Sequence, residues 1–424
     1  MGPPFRLEGP GTRGGCRPTT SLLKKADLPL EVVILLVVAL TLLLTGILLF
    51  PVSTGALAYY ENGLYGLLLV MFSLQMIALG KTPFGDMSRS KVPLAIGVVI
   101  AAVGITTVFI PDFLSQAPRI LLFICFCPGG ISLLLQMLLS RAKLRAWARY
   151  GGIFRHLIAS SAAVYVLSIV IGALVLKPDL LTTAATAVLV LLYGAAIAYL
   201  ALVLRVVYLT YPEAERPRGR APLTVDRALL LVMGIFMVLL GLLLVPVSLG
   251  KLPFAGSAQL GLLMVIFAVQ MVAAGSTPIG AFTRSWLMIA LGLVFAGLGI
   301  VSCIIPDVLV PLLTVLVGVL NILGGVIALW KAIVPRLGRG AGPRAPEPSA
   351  LRKLFAATVI MNALTIVFGT TMLVSGLLPG LVIGVVLAAN GCVLLYLVHV
   401  LGLLDTLQAG AEAAAEAAGA TEPA

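Results

Sequence analysis

The chain has 424 residues, of which 61% are hydrophobic and 10% charged, with a formal net charge of +12. A water-soluble globule of that composition has too little polar surface to stay dispersed, so the numbers exclude a soluble domain and point to a membrane protein. The basic excess lies in short segments between apolar runs, which makes it a topology signal rather than a nucleic-acid surface.

Residues 1–25, MGPPFRLEGPGTRGGCRPTTSLLKK, have no apolar core and read as a cytoplasmic tail. Twelve apolar runs follow, at 30–50, 62–80, 92–110, 118–140, 156–176, 180–204, 228–247, 257–275, 286–305, 308–330, 354–374 and 377–404. About 20 residues rising 1.5 Å each cross a hydrocarbon core of about 30 Å. The runs do not alternate, so they predict helices rather than barrel strands. With the N-terminus inside, 25 of the 28 Lys and Arg residues fall on the inner side, and only Arg119, Lys177 and Lys251 fall outside. This predicts a cell-membrane protein with both termini cytoplasmic.

Glu31 opens the first run, and its counterpart Asp226 opens the seventh. An acid there favours a helix N-terminus, and both are also candidate ionisable groups. The odd-numbered runs end in a Gly-to-Pro phrase, TGILLFP at Pro51, VGITTVFIP at Pro111 and IGALVLKP at Pro178, repeated in the second half as LGLLLVP and LGIVSCIIP, while FGTTMLVSG loses the proline. The chain then restarts as PDFL, PDLL or PDVL, at Asp112, Asp179 and Asp307. Proline would stop one helix and aspartate would cap the next. Consecutive runs therefore read as helical hairpins closed by tight outer turns.

The second run ends in LQMIALGKTPFGDMSRS (74–90), and the eighth ends in VQMVAAGSTPIGAFTRS (269–285). Gly80, Thr82, Pro83, Gly85 and Arg89, repeated as Gly275, Thr277, Pro278, Gly280 and Arg284, read as a rigid inner turn. Gln75 and Gln270 lie five residues before the glycine, Gln136 holds a similar place in the fourth run, and Asn321, Asn362 and Asn390 add amides later. Such amides either bond neighbouring helices or line a polar path. His399, near the end of the last run, completes the ionisable candidates.

A shift of 195 residues aligns 46–114 with 241–309 without a gap and with close to half the positions identical. A shift of 197 carries the match from FRHLIA at 154 and LRKLFA at 351 to Tyr199 and Tyr396. Six spans per half is an even number, so both halves enter the membrane in the same sense. The predicted fold class is all-α, a polytopic membrane protein of twelve helices in two parallel six-helix repeats, each of three hairpins. The segments are a tail (1–25), a first repeat (26–205), a cytoplasmic linker (206–220), a second repeat (221–405, with a loop at 333–352) and an Ala/Glu tail (406–424).

The Gly-to-Pro phrase, the tight turn, and a second apolar helix with later glycines (Gly129 and Gly130, Gly194, Gly324 and Gly325, Gly391) resemble the short hairpin repeat of HdeD-like membrane proteins. The resemblance implies two six-span units in tandem, a non-enzymatic role connected with envelope stress, and no catalytic residues. GKTPFGDMSRSK, with Gly85, Asp86, Arg89 and Lys91, is more loosely similar to the signature between spans 2 and 3 of major facilitator transporters. The main reading is a non-enzymatic protein acting through helix packing, lipid contact or partner assembly, and the alternative is a passive carrier or channel for a small neutral or weakly polar solute. No catalytic set, cofactor loop or metal cluster can be assembled from two histidines and sixteen acids placed this way. The expected partners are the lipid bilayer and a membrane protein, either itself or another, and no nucleic acid.

Overall fold

Residues 26, 28–86, 91–139, 152–211, 225–277, 279–337, 349–374 and 376–419 are described by the computed structural model. In the first half the helices are α1 (Leu30–Ser53), α2 (Glu61–Leu79), α3 (Lys91–Phe109), α4 (Ala117–Leu139), α5 (Ile153–Leu176) and α6 (Thr183–Thr210). In the second they are α7 (Val225–Ser248), α8 (Gly256–Ala274), α9 (Trp286–Ile304), α10 (Val310–Leu337), α11 (Ser349–Leu373) and α12 (Gly380–Gly419). All twelve contain a stretch long and apolar enough to cross a membrane. The described fold is all-α, with twelve helices of the length and apolarity a multi-pass membrane protein needs.

Of the expected outer-turn hairpins only the third of each half packs along its length, α5 on α6 and α11 on α12, and the closest pairings lie elsewhere. In the first half α1 packs along α6, α2 along α3 and α4 along α5, while α1 and α2 scarcely touch. The second half has the same pattern, with α7 against α12, α8 against α9 and α10 against α11. The cause is where the glycines point. A Cβ on Gly104 of α3 would meet the Gly66 carbonyl oxygen of α2 at 2.8 Å, and one on Gly299 of α9 would meet that of Gly261 at 2.6 Å. Removing the side chain from both helices lets the backbones touch, the usual way helices associate without a hydrophobic drive.

The turns also differ from expectation. Pro51 and Pro246 lie inside α1 and α7, near their ends, rather than stopping them. Asp112 and Asp307 reverse the chain in the left-handed region, with φ of 60° and 68°. Asp112 accepts from Asn62 Nδ2 at 3.2 Å, and the cap of α6 is Thr182, which accepts from the Ala185 amide. The linker expected from 206 starts later, because α6 runs to Thr210, and residues 212–220 lie outside the described residues. The Ala/Glu segment continues α12 as helix to Gly419.

The halves meet through α1, α2 and α3 against α7, α8 and α9. They exchange equivalent backbone bonds: the Tyr60 amide donates to the Ile304 carbonyl at 2.8 Å, and the Ala255 amide to the Phe109 carbonyl at 2.9 Å. Phe109 meets Phe236 edge-on at 5.3 Å, and both are fully buried. Nearby, Arg119 bridges Glu61 at 3.1 Å, and the Tyr65 hydroxyl donates to the same carboxylate. In the α1–α2 connection burial pushes the Tyr59 and Tyr60 phenols up, and the Tyr60 hydroxyl donates to the Val108 carbonyl at 3.2 Å.

A chamber inside the first half

At the end of α2 the helix widens into a π turn from Gln75 to Leu79, whereas α8 stays α-helical through Ala274. Such turns insert a residue and re-aim side chains. Gly80 and Gly275 then close their helices in the left-handed region, with φ of 66° and 67°. The repeated phrase folds into a two-residue β-hairpin, Lys81–Thr82 against Gly85–Asp86, and again Ser276–Thr277 against Gly280–Ala281. Thr82 and Thr277 each tie the turn by donating to the Gly85 or Gly280 carbonyl at 2.8 Å. Gly85 and Gly280 sit at φ 127° and 146°, closed to other residues. Arg89 and Pro278 lie outside the described residues.

Helix α4 holds the first corner. Gln136 Nε2 donates to the Phe84 carbonyl at 2.6 Å, and a Cβ on Gly129 would stand 2.9 Å from the Pro83 carbonyl oxygen. Gln136 therefore clamps the loop and also lines the cavity behind it.

Behind this corner, α1, α2, α4, α5 and α6 line a partly open cavity of about 810 Å³. Its walls are apolar, from Val38, Leu68, Phe126, Val164, Ile197 and Leu200 among others. Phe126 braces one side, edge-on to Phe72 at 5.3 Å and to Tyr193 at 6.0 Å. Neutral polar groups interrupt the walls: Gln75, Ser161, Tyr165, and Ser168, whose hydroxyl donates to the Phe126 carbonyl at 2.8 Å. Gln75 is half-buried and Ser161 is buried, and neither side chain has a hydrogen-bond partner among the described residues.

At the loop end of the chamber Lys81 Nζ lies 2.5 Å from Glu31 Oε1, and the Tyr208 hydroxyl donates to Glu31 Oε2 at 2.5 Å. Glu31 is thus an ion-pair anchor as well as an acid in the first turn of α1. Because the Lys81 side chain is 37% exposed, the pair is worth about 1 kcal/mol. In a double-mutant cycle Glu31→Gln and Lys81→Met should couple by about that amount in detergent-phase thermal unfolding. Strict additivity would remove the pair from the account.

The remaining candidates separate. Gln270 is half-buried on α8 and does not line this chamber. Asn321 and Asn362 donate to carbonyls of their own helices, Val317 at 2.8 Å and Thr358 at 2.7 Å. Asn390 is buried, and its Oδ1 has no partner among the described residues. Asp226 is exposed and edges a cleft of about 400 Å³ between the halves, shared with Arg205 and Arg284. Arg284 donates to the Ala273 carbonyl at 3.0 Å and the Leu28 carbonyl at 3.3 Å, stitching the chain before α1 to the second half. Arg205 lies 4.6 Å over the Trp286 ring, another link between halves. His399 is exposed on α12.

Lys81, Tyr208, Ser161 and Tyr165 were not among the sequence candidates. The signal for Lys81 was available, as a cation directly after the second span where the other half has Ser276. Among the described residues no group of three His, Cys, Asp or Glu could hold a metal ion. No family model, curated protein or solved structure matches this chain.

Proposed function

We propose that this is a non-enzymatic membrane protein of HdeD-like type, a tandem of two parallel six-helix units, that acts by holding a small molecule of the bilayer inside its first unit. The observation that carries the reading is the chamber of about 810 Å³, whose volume and mixed lining fall in the range of small-molecule sites, about 300–1,000 Å³. The tandem reading rests on the repeated corner, the repeated helix pairing and the equivalent backbone bonds between halves. The basic loops support a cell-membrane location with the corners and both termini on the cytoplasmic side.

A passive carrier for a weakly polar solute is the second reading, favoured by the polar groups gathered at the loop end of the chamber. Both readings exclude coupling to an ion gradient. Carriers driven by one keep a group that changes charge in the membrane field, where 100 mV is worth about 2.3 kcal/mol per charge. Here Glu31 is neutralised by Lys81, and Asp226 and His399 are exposed. Liposomes holding the protein and a trapped pH dye should show no protein-dependent proton flux after a pH step or under a valinomycin-clamped potential. Flux abolished by Glu31→Gln with Asp226→Asn would defeat both readings and establish a driven transporter.

A further inference from the structure

We infer that the chamber takes a single-chain amphipath with an uncharged, hydrogen-bonding head, admitted from the bilayer beside α4. The inference rests on the reading of the chamber as a binding site, and three observations select the ligand class.

First, the interior polar groups are neutral. The Gln75 amide offers a donor and an acceptor, and the Ser161 hydroxyl offers both, with neither engaged by a described residue. Both groups line the chamber and keep their bonding capacity open to its interior, so a head that bonds to both is held there. Second, the charges at the loop end are already matched. Glu31 has Lys81 on one oxygen and Tyr208 on the other, so among the described lining residues no charge is left uncompensated for an ionic head. A carboxylate or phosphate in this space would be desolvated without a counter-ion, which is far costlier than placing an alcohol or amide there.

Third, the chamber wall on the α4 side ends at exposed apolar surface. Leu139, a lining residue, is 77% exposed, and Leu135 and Leu138 beside it are also exposed. On a spanning helix such residues face lipid chains, so the occupant arrives already dissolved in the bilayer. The apolar walls accept its chain, and Gln75 and Ser161 accept its head.

The test uses the full-length protein in lipid nanodiscs and three diazirine probes of equal chain length: a long-chain alcohol, the corresponding fatty acid and the corresponding lysophosphatidylcholine. After irradiation, labelled residues are mapped by mass spectrometry. The alcohol should label chamber residues of α2, α5 or α6, and unlabelled alcohol should compete. The acid and the lysolipid should label there at least tenfold less. Gln75→Met with Ser161→Ala should cut alcohol labelling about tenfold, while Gln270→Met should leave it unchanged. Thermal unfolding of each variant confirms its fold, and Gln75→Met alone serves if the double variant is unstable. Preferred labelling by the acid or the lysolipid, or labelling indifferent to the Gln75 change, overturns the head-group inference and leaves the binding chamber standing. Absence of chamber labelling by all three probes overturns both.

Discussion

Gly63→Ala is expected to destabilise the protein by about 3 kcal/mol and to weaken the joint between its halves. Gly63 sits in the first turn of α2 against the Cys303 backbone of α9, and any Cβ there would overlap the Cys303 carbonyl oxygen. The obstacle is backbone, which cannot rotate aside as a side chain can, so one helix must move. That shift falls three residues from the bond between the Tyr60 amide and the Ile304 carbonyl, whose loss costs about a further 1 kcal/mol. Gly297→Ala is the control, because the nearest atom to its Cβ would be a Leu44 methyl at an ordinary 3.8 Å. Thermal unfolding in detergent, followed by near-UV circular dichroism, should separate the two variants clearly. Equal midpoints would mean that the contact between α2 and α9 is not made as described.

Val164→Trp is expected to abolish binding to the chamber while leaving the fold intact. Val164 is a buried wall residue of α5 that borders the cavity, so an added indole has empty space to occupy instead of a packed neighbour. The ligand then loses most of its apolar contact, and a fluorescent long-chain alcohol should bind about a hundredfold more weakly, equivalent to roughly 2.7 kcal/mol. The matching change in the second half, Met361→Trp, should not alter binding. If it is Met361→Trp that removes binding, the two halves have been assigned the wrong roles.

The number of spans and their order were legible because each helix must be apolar for its full length and each break is marked by Pro, Gly or charge. The corner was legible as well, since Gly80 and Gly85 are needed for its positive φ and recur at Gly275 and Gly280. Most helix partners were not, the third hairpin of each half being the exception. The Gly-to-Pro phrase shows where a helix ends but not which neighbour its glycine touches, and Gly46, read as part of an outer hairpin, faces Ala187 and Leu191 of α6. The chamber was hidden for a related reason. Gln75 and Gln270 occupy the same phrase, yet what surrounds the first is set by distant residues that the repeat has changed. Tyr165, Tyr193 and Gln136 of the first half correspond to Asn362, Asn390 and Lys331 in the second. Likewise, 50 positions separate Glu31 from Lys81, and nothing local in either stretch announces the pair.

As proposed, the first half holds a ligand that comes from the membrane. An electron cryo-microscopy map of the protein in lipid nanodiscs tests it most directly. The account predicts an elongated non-protein density between α1, α2, α4, α5 and α6, with its polar end against Gln75 and Ser161. A map in which side chains from these five helices close the space, or in which such density lies in the second half instead, would contradict it.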